Sequence, residues 1–156
     1  MIEVKNLTKR YGANVALDHV SFSIEEGSIV GFLGPNGAGK STTMNIVTGY
    51  LSASEGEVTV AGHSILEEPA EVKKLSGYLP EMPPLYMDMT VREYLDFMYQ
   101  LKRVTLPKEK HIREICALVK ITEVYDRLVG NLSKGYKQRV GIAQALLGNP
   151  PVLILD

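Results

Sequence analysis

The chain has 156 residues, of which 45% are hydrophobic and 22% are charged, as expected for a soluble globular protein with one ordinary domain. A net charge of −1 and a pI near 6.3 give no indication of a nucleic-acid or acidic partner. The apolar runs are about five residues long, far below the ~20 that span a bilayer, and no secretory signal precedes them. The single cysteine, Cys116, cannot form an internal disulfide, so a reducing cytoplasmic setting fits.

The first half of the chain combines short strands with one helix. Alternating or continuous apolar residues predict strands at 2–10, 15–24, 28–33 and 57–61, the third of them fully buried. A helix is predicted over 40–48, closed by Gly49.

The second half is mostly helical. Pro69 opens a short helix, and a strand is predicted over 76–80. The spacing of Thr90 and Glu93 is that of a capping box, Pro107 suits the first residue of a further helix, and a third helix begins near Ser133. Four aliphatic residues at 152–155 predict a buried strand that ends at Asp156. Because such a strand needs neighbours on a sheet, we interpret the chain as part of a longer one.

A glycine-rich segment follows the third predicted strand and matches the pattern G-x-x-x-x-G-K-[ST]: Gly34, Pro35, Asn36, Gly37, Ala38, Gly39, Lys40 and Ser41. Glycines let backbone N–H groups wrap a phosphate, and the following helix presents its positive end to the same anion. Lys40 reaches the β- and γ-phosphates, Ser41 is a ligand for Mg²⁺, and Thr42 adds a hydroxyl nearby. The alternative is a glycine-rich turn that binds nothing. Such a turn would need neither a strand before it nor a helix after it, so the motif in this context predicts nucleotide binding.

Three further landmarks carry a family resemblance. The segment 132–139 (LSKGYKQR) resembles the L-S-G-G-Q signature of ATP-binding-cassette (ABC) domains, and the strand ending at Asp156 resembles a Walker B strand. Tyr11 lies where ABC domains place an aromatic side chain against the adenine. The chain therefore resembles an ABC transporter nucleotide-binding domain over its whole length.

The resemblance implies an α/β fold with a P-loop NTPase core of ABC type. An antiparallel N-terminal β-subdomain and an inserted helical subdomain would complete it, and the C-terminal part would be missing. We expect one incomplete domain over 1–156, with the β-subdomain and P-loop core at 1–84, the helical subdomain at 85–148 and the Walker B strand at 149–156.

The resemblance also implies a second anion site. Ser133 is a suitable helix N-cap and Gly135 permits close approach, so both would contact the ATP held by a second copy arranged head-to-tail. By themselves these residues would predict only an ordinary capped helix. Asp156 would hold Mg²⁺ beside Ser41 and, with Lys40, act in catalysis.

Two departures from the usual motifs are visible. Lys134 and Tyr136 replace the Gly and Gln of the signature, and Glu81 stands where many ABC domains carry the Q-loop Gln. Glu81 would be a metal-site and catalytic residue, or else a solvated loop carboxylate. The altered signature and the glutamate at the Q-loop position both resemble the motifs of a bacterial exporter branch that includes antibiotic-resistance and gliding-motility ATPases.

These resemblances imply the ATPase subunit of a membrane exporter, with ATP and Mg²⁺ as cofactors. Its partners would be a second nucleotide-binding domain and a membrane permease contacted by 83–91, on the inner face of the cell membrane, with no nucleic acid. One alternative is a soluble ABC ATPase acting on ribosomes or nucleic acid. Another is a binding-only module, since the usual catalytic Glu and switch His do not follow Asp156 and the chain as given is expected to be inactive.

Four residues suited to metal binding or reactivity have simpler expected roles. The spacing of His19, His63 and His111 suggests no metal site, so surface or packing positions are expected. Cys116 lies on an apolar helix face and is expected in the core.

Overall fold

An antiparallel sheet forms the first part of the chain in the computed structural model, which describes all 156 residues. Its strands, in the order β2-β1-β3-β4, are β1 (Ile2–Tyr11), β2 (Asn14–Ile24), β3 (Glu55–Val60) and β4 (His63–Ser64). The chain divides into two compact units, Met1–Ser76 with Asp156 and Gly77–Leu155. The sheet belongs to the first unit.

Side chains of alternating polarity explain why β1 lies at the centre of this sheet. Ile2 and Val4 are buried and are flanked by apolar partners on both neighbouring strands. The pairing with β2 shifts between Val4 and Leu7, where Asn6 adopts a φ of 49°. The bulge lets consecutive Leu7 and Thr8 both become buried, which strict alternation would forbid.

Two helices belong to the same unit. Helix α1 (Lys40–Val47) buries Thr43, Ile46 and Val47, and it contacts β2 and β3. Helix α2 (Pro69–Leu75) begins at the predicted proline and buries Val72. Gly49 follows α1 with a φ of 71°, the left-handed conformation that ends a helix at low cost in glycine.

The predicted buried strand at 28–33 is wrong. These residues form neither strand nor helix, and Ile29, Val30 and Leu33 are exposed. A continuous apolar run indicates a preference for burial, but a strand also needs hydrogen-bonding neighbours on a sheet, and this segment pairs with none. Only Phe32 makes a ring contact, with its centroid 5.5 Å from that of Phe22.

Three helices surround the core of the second unit: α3 (Val91–Leu101), α4 (Lys108–Leu118) and α5 (Lys134–Leu146). Two 3-10 turns, Thr122–Val124 and Val129–Asn131, connect α4 to α5. The strands β5 (Ser76–Leu79) and β6 (Val152–Leu155) pair in a separate two-stranded sheet. The strand predicted at 152–155 is thus present, but it is not the buried strand expected, since Leu153 and Leu155 are exposed. The buried core includes Val91, Tyr94, Leu95, Ile112, Cys116, Ile121, Val129 and Val140.

The helix starts follow the local signals in the sequence. Thr90 and Glu93 form the predicted capping box, and Ser133 is the N-cap of α5. Pro107 precedes α4 as its N-cap rather than its first residue, so that prediction is off by one position. None of the helices combines the length and apolar content required to span a bilayer.

Candidate functional site

The glycine-rich loop turns sharply between the exposed segment 28–33 and α1. Gly37 and Gly39 have φ values of 84° and 85°, and the N–H of Ala38 donates to the carbonyl of Pro35 at 3.2 Å. Residues 34–38 are exposed. The loop is therefore a compact turn whose outer surface is open to a ligand.

Gly39 has a second requirement besides its backbone conformation. A Cβ at this position would lie 2.5 Å from Leu17 Cδ2 and 2.8 Å from the carbonyl oxygen of Ala16. Both contacts are too short for a carbon atom, so only glycine lets the loop approach β2 this closely. The same Cβ at Gly37 would meet nothing within 4 Å.

Lys40 folds its side chain back over the loop. Its Nζ donates to the carbonyl oxygens of Gly34 at 2.7 Å and Pro35 at 2.8 Å. An ammonium has three N–H donors, so one remains for a further acceptor. The geometry thus holds a positive charge inside a loop of exposed backbone groups.

The first turn of α1 provides more donors. It has no acidic residue and no side-chain cap, so no side chain of the helix competes for its N–H groups. The N–H of Thr43 is used internally and donates to the carbonyl of Gly39 at 2.8 Å, and its Oγ1 donates to the same oxygen at 2.9 Å. The preceding hydroxyls are oriented differently: Ser41 is exposed and Thr42 is half-buried.

Thr43 is a buried residue at the start of α1 that the sequence analysis did not identify. It is buried and ties the start of α1 to the last glycine of the loop. The only indication of Thr43 in the sequence is the run of three hydroxyl residues at 41–43. The loop motif does not include Thr43, because the motif ends at Ser41.

Tyr11 lies at the end of β1, with 51% of the residue exposed. The Lys9 ammonium is 5.2 Å from the centre of its ring and also donates to the carbonyl of Ser52 at 2.7 Å. The phenol ring therefore has this lysine beside it and otherwise offers a partly open surface. Such a surface suits stacking by a planar base.

The other predicted residues are Ser133, Gly135 and Glu81 in the second unit and Asp156, which groups with the first unit. In the second unit, Ser133 caps α5 and its Oγ accepts from the N–H of Tyr136 at 3.4 Å, while Gly135 lies in the first turn and is exposed. Glu81 is exposed in the loop after β5 and makes no ion pair. Asp156 is exposed and follows β6. The structure therefore brings the phosphate-loop residues together in one unit, and Ser133 and Gly135 together in the other.

The donor chemistry of these residues fits a nucleotide with magnesium. The loop offers an ammonium, uncapped helical N–H groups and the hydroxyl of Ser41, all of which suit phosphate or a hard cation. No three or more His, Cys, Asp or Glu side chains form a group that could hold a metal ion alone. Magnesium at nucleotide sites is bound through one or two carboxylates together with phosphates, and Asp156 and Ser41 carry oxygen donors of the kind that such a site uses.

Comparison with known proteins identifies the family. A family model described as ABC transporter matches residues 17–156. The chain is 36% identical over 156 residues to the bacitracin transport ATP-binding protein BcrA of Bacillus licheniformis. It is 43% identical over 157 residues to the uncharacterised ABC transporter ATP-binding protein YhcH of Bacillus subtilis (strain 168). Both alignments cover 100% of this chain and 50% of the relative, so the chain spans about half the length of the curated relatives it matches.

A solved structure agrees with these relatives. The chain resembles the dimeric post-hydrolysis state of an ATP-binding cassette bound to ADP and Pi, with a TM-score of 0.86 and 29% identity. The match covers 100% of this chain and 73% of the other. The predicted fold class, a cassette with an antiparallel sheet and helices of which this chain is a part, is confirmed. The chain belongs to the family of ABC transporter ATP-binding proteins.

Proposed function

We propose that the natural full-length protein binds Mg-ATP at residues 34–42 and hydrolyses it to power a membrane exporter. The observation that carries this proposal is the Lys40 ammonium, held inside a glycine loop that leads into an uncapped helix start. A fixed cation beside free N–H groups stabilises phosphate oxygens and the charge that develops on them.

Each residue has a distinct part in this proposal. The loop backbone and Lys40 hold the phosphates, Tyr11 stacks on the adenine, and the hydroxyls of Ser41 and Thr42 would be available to a metal ion beside the phosphates. Asp156 and Ser41 would hold a magnesium ion, which would supply neutralisation of the phosphate charge. Glu81, which carries a carboxylate in place of an amide, would accept a hydrogen bond from a water molecule bound to that ion.

The proposed working unit is a head-to-tail dimer. Ser133 and Gly135 of one copy contact the ATP held by the phosphate loop of the other, so that ATP binding drives closure and hydrolysis releases it. A helix start that has a serine cap and a glycine without a side chain in its first turn suits a phosphate group. A permease subunit, contacted by 83–91, holds the dimer at the inner face of the membrane.

The exporter assignment is supported by the sequence of the signature and by one relative. The signature carries Lys134 and Tyr136, and Glu81 follows β5. These residues resemble those at the same motif positions in an exporter branch that includes antibiotic-resistance ATPases. The chain is also 36% identical to a bacitracin transport protein.

The first experiment measures phosphate release by the natural full-length protein over a range of protein concentrations. We expect specific activity to rise with concentration, because two copies complete each site, and to be lost in Lys40→Ala. Lys5→Ala is the matched control, since Lys5 is an exposed lysine of the same unit paired with Glu3. Turnover that does not depend on Lys40 would contradict the proposal.

A second experiment separates the exporter from a ribosome-acting ATPase. Cell lysate is centrifuged through a sucrose gradient and the full-length protein is located by immunoblotting. We expect the protein with the membrane fraction, and detergent should release it. Recovery with ribosomes, unaffected by detergent, would instead support the soluble alternative.

A further inference from the structure

Tyr136 replaces the usual signature glutamine, and its side chain is fully engaged within the second unit. Its hydroxyl donates a hydrogen bond to Glu123 Oε1, in the 3-10 turn Thr122–Val124. The Arg139 guanidinium lies 5.5 Å from the ring centre. The phenol is therefore held at its tip by a carboxylate and beside its ring by a cation.

Two neighbouring side chains bind the same stretch of the chain. Lys137 Nζ donates to the carbonyl of Gly130 at 3.1 Å, and Arg139 Nη1 donates to the carbonyl of Lys120 at 3.2 Å. Together with the Tyr136–Glu123 bond, they tie the first two turns of α5 to segment 120–130. We name this set of three contacts the α5 anchor.

The anchor is linked directly to the signature serine. The backbone N–H of Tyr136 donates to Ser133 Oγ, and the hydroxyl of the same residue reaches Glu123. The Tyr136 ring is half-buried and packs against the core of the second unit. A movement of this ring would therefore move the cap of α5 and the two residues after it.

The phenol is in the protonated form that this contact needs. Tyrosine is ordinarily protonated at neutral pH, and the hydrogen bond to Glu123 is the main cause that raises the pKa of Tyr136 further. A carboxylate acceptor makes this bond stronger than a neutral one.

We propose that Tyr136 and Glu123 are positioning residues that fix the start of α5, so that Ser133 and Gly135 meet the nucleotide bound by a second copy. This inference rests on the proposed head-to-tail dimer. It goes beyond that proposal because it states that the Tyr136–Glu123 hydrogen bond sets the position of Ser133 and Gly135 toward the second copy. Neither residue needs to touch the nucleotide. Tyr136 supports the signature through its contact with Glu123.

The test compares Tyr136→Phe with the wild type in the natural full-length protein. Phenylalanine keeps the ring, its packing and the contact with Arg139, and it removes only the hydroxyl. Titration with a fluorescent ATP analogue at low protein concentration should give unchanged affinity, because the phosphate loop belongs to the other unit. Sedimentation with a non-hydrolysable ATP analogue should show dimer association weakened about tenfold, as expected for losing a hydrogen bond to a charged group.

Tyr125→Phe is the matched control. Tyr125 belongs to the same segment and its ring lies 5.1 Å from Arg92, but no hydrogen bond of its hydroxyl is present in the structure. Removing this hydroxyl should leave association within about twofold of the wild type. Glu123→Gln keeps an oxygen acceptor and should lose less association than Glu123→Ala.

The double variant Tyr136→Phe/Glu123→Ala tests whether both residues act through one bond. We expect its association to be no weaker than that of Glu123→Ala alone, because a single contact is removed in either case. If the double variant instead lost association by the product of the two single-variant factors, the two residues would act independently and the proposal would be overturned. Wild-type association in Tyr136→Phe would also overturn it, whatever the thermal midpoint of that variant, since a merely structural role lowers the midpoint without changing the association of folded protein.

The same measurements distinguish a failure of the proposed dimer from a failure of the positioning role of Tyr136. If the wild type shows neither ATP-dependent association nor Lys40-dependent turnover, the proposed dimer itself is wrong. If the wild type shows both and Tyr136→Phe matches it, only the positioning role fails.

Discussion

His111 Nε2 accepts a hydrogen bond from the backbone N–H of Gly148 at 2.9 Å. The histidine is on α4 and 4% exposed, and Gly148 lies in the left-handed turn after α5, with a φ of 89°. A nitrogen that accepts cannot carry a proton, so the ring is neutral with its hydrogen on Nδ1. The role in packing that the sequence suggested for His111 thus includes a specific bond that holds the end of α5 against α4.

We expect the chain to lose stability as pH falls below the ordinary histidine range. Burial lowers the pKa of His111, and the nearby Glu114 only partly opposes this. Unfolded chains then bind a proton that folded chains exclude, so the stabilising contribution is complete above about pH 6.5 and declines as pH falls toward the folded pKa. Within that window one proton changes the free energy of unfolding by at most about 1.4 kcal/mol per pH unit.

Urea unfolding at a series of pH values tests this prediction. His111→Gln keeps an acceptor but cannot titrate, so its unfolding free energy should fall less steeply with acid than that of the wild type. His19→Gln removes an exposed histidine and serves as the control. Parallel curves for wild type and His111→Gln would show that His111 is not the acid-sensitive group.

The elements that the sequence predicted well carry their signals within a few residues. The Thr90–Glu93 capping box begins α3 and Ser133 begins α5, because each cap is a local hydrogen bond between residues three apart. The glycine-rich turn that leads into α1 was predictable for the same reason, whereas the strand expected before it was not found. Local chemistry that needs no distant partner can be deduced from spacing alone.

Contacts between distant residues were not predictable from one sequence. The bond between His111 and Gly148 joins residues 37 positions apart, and Tyr136 and Glu123 are 13 apart. Neither pair has a motif, since any acceptor on the right surface would serve. The error at 28–33 has a related cause: apolar composition indicates a tendency to be buried, while a strand requires partners that composition does not specify.

Gly39 should tolerate alanine less well than Gly37. Both have φ near 85°, so each Gly→Ala change costs roughly 1–2 kcal/mol of backbone strain. At Gly39 the new Cβ would also collide with Leu17 and the carbonyl of Ala16, adding about 1–3 kcal/mol. Urea unfolding of the two variants should therefore give a clearly lower stability for Gly39→Ala. Equal losses would mean that β2 moves away from the loop without cost.

Tyr11 should contribute to nucleotide affinity through its ring alone. Stacking of a base on an aromatic ring contributes about 1–3 kcal/mol and depends little on which base is present. We expect Tyr11→Ala to weaken ATP binding, Tyr11→Phe to leave it unchanged, and GTP to bind nearly as well as ATP, as measured by fluorescence titration. Tyr50→Ala is the control, because Tyr50 is an exposed tyrosine of the same unit. If Tyr11→Ala binds like the wild type, Tyr11 is only the last residue of its strand.

Lys40 should contribute most to phosphate affinity. Two of its three N–H donors bind the carbonyls of Gly34 and Pro35, which hold the ammonium in the loop, and the third remains for a phosphate oxygen. A charge-assisted bond of this kind contributes about 1.5–3 kcal/mol, so Lys40→Ala should weaken Mg-ATP binding at least about tenfold.

Two comparisons separate charge from loop packing in that measurement. Lys40→Met keeps most of the side-chain stem but no donor, so it should bind Mg-ATP as poorly as Lys40→Ala if the ammonium is responsible. Lys5→Ala removes an exposed lysine elsewhere in the unit and should bind normally. If Lys40→Met retained wild-type affinity, the ammonium would not be needed, and the lysine would act only through the packing of its side-chain stem. Equal affinity in all four proteins would mean that phosphate is not bound at this loop, because no other cation is held by its carbonyls.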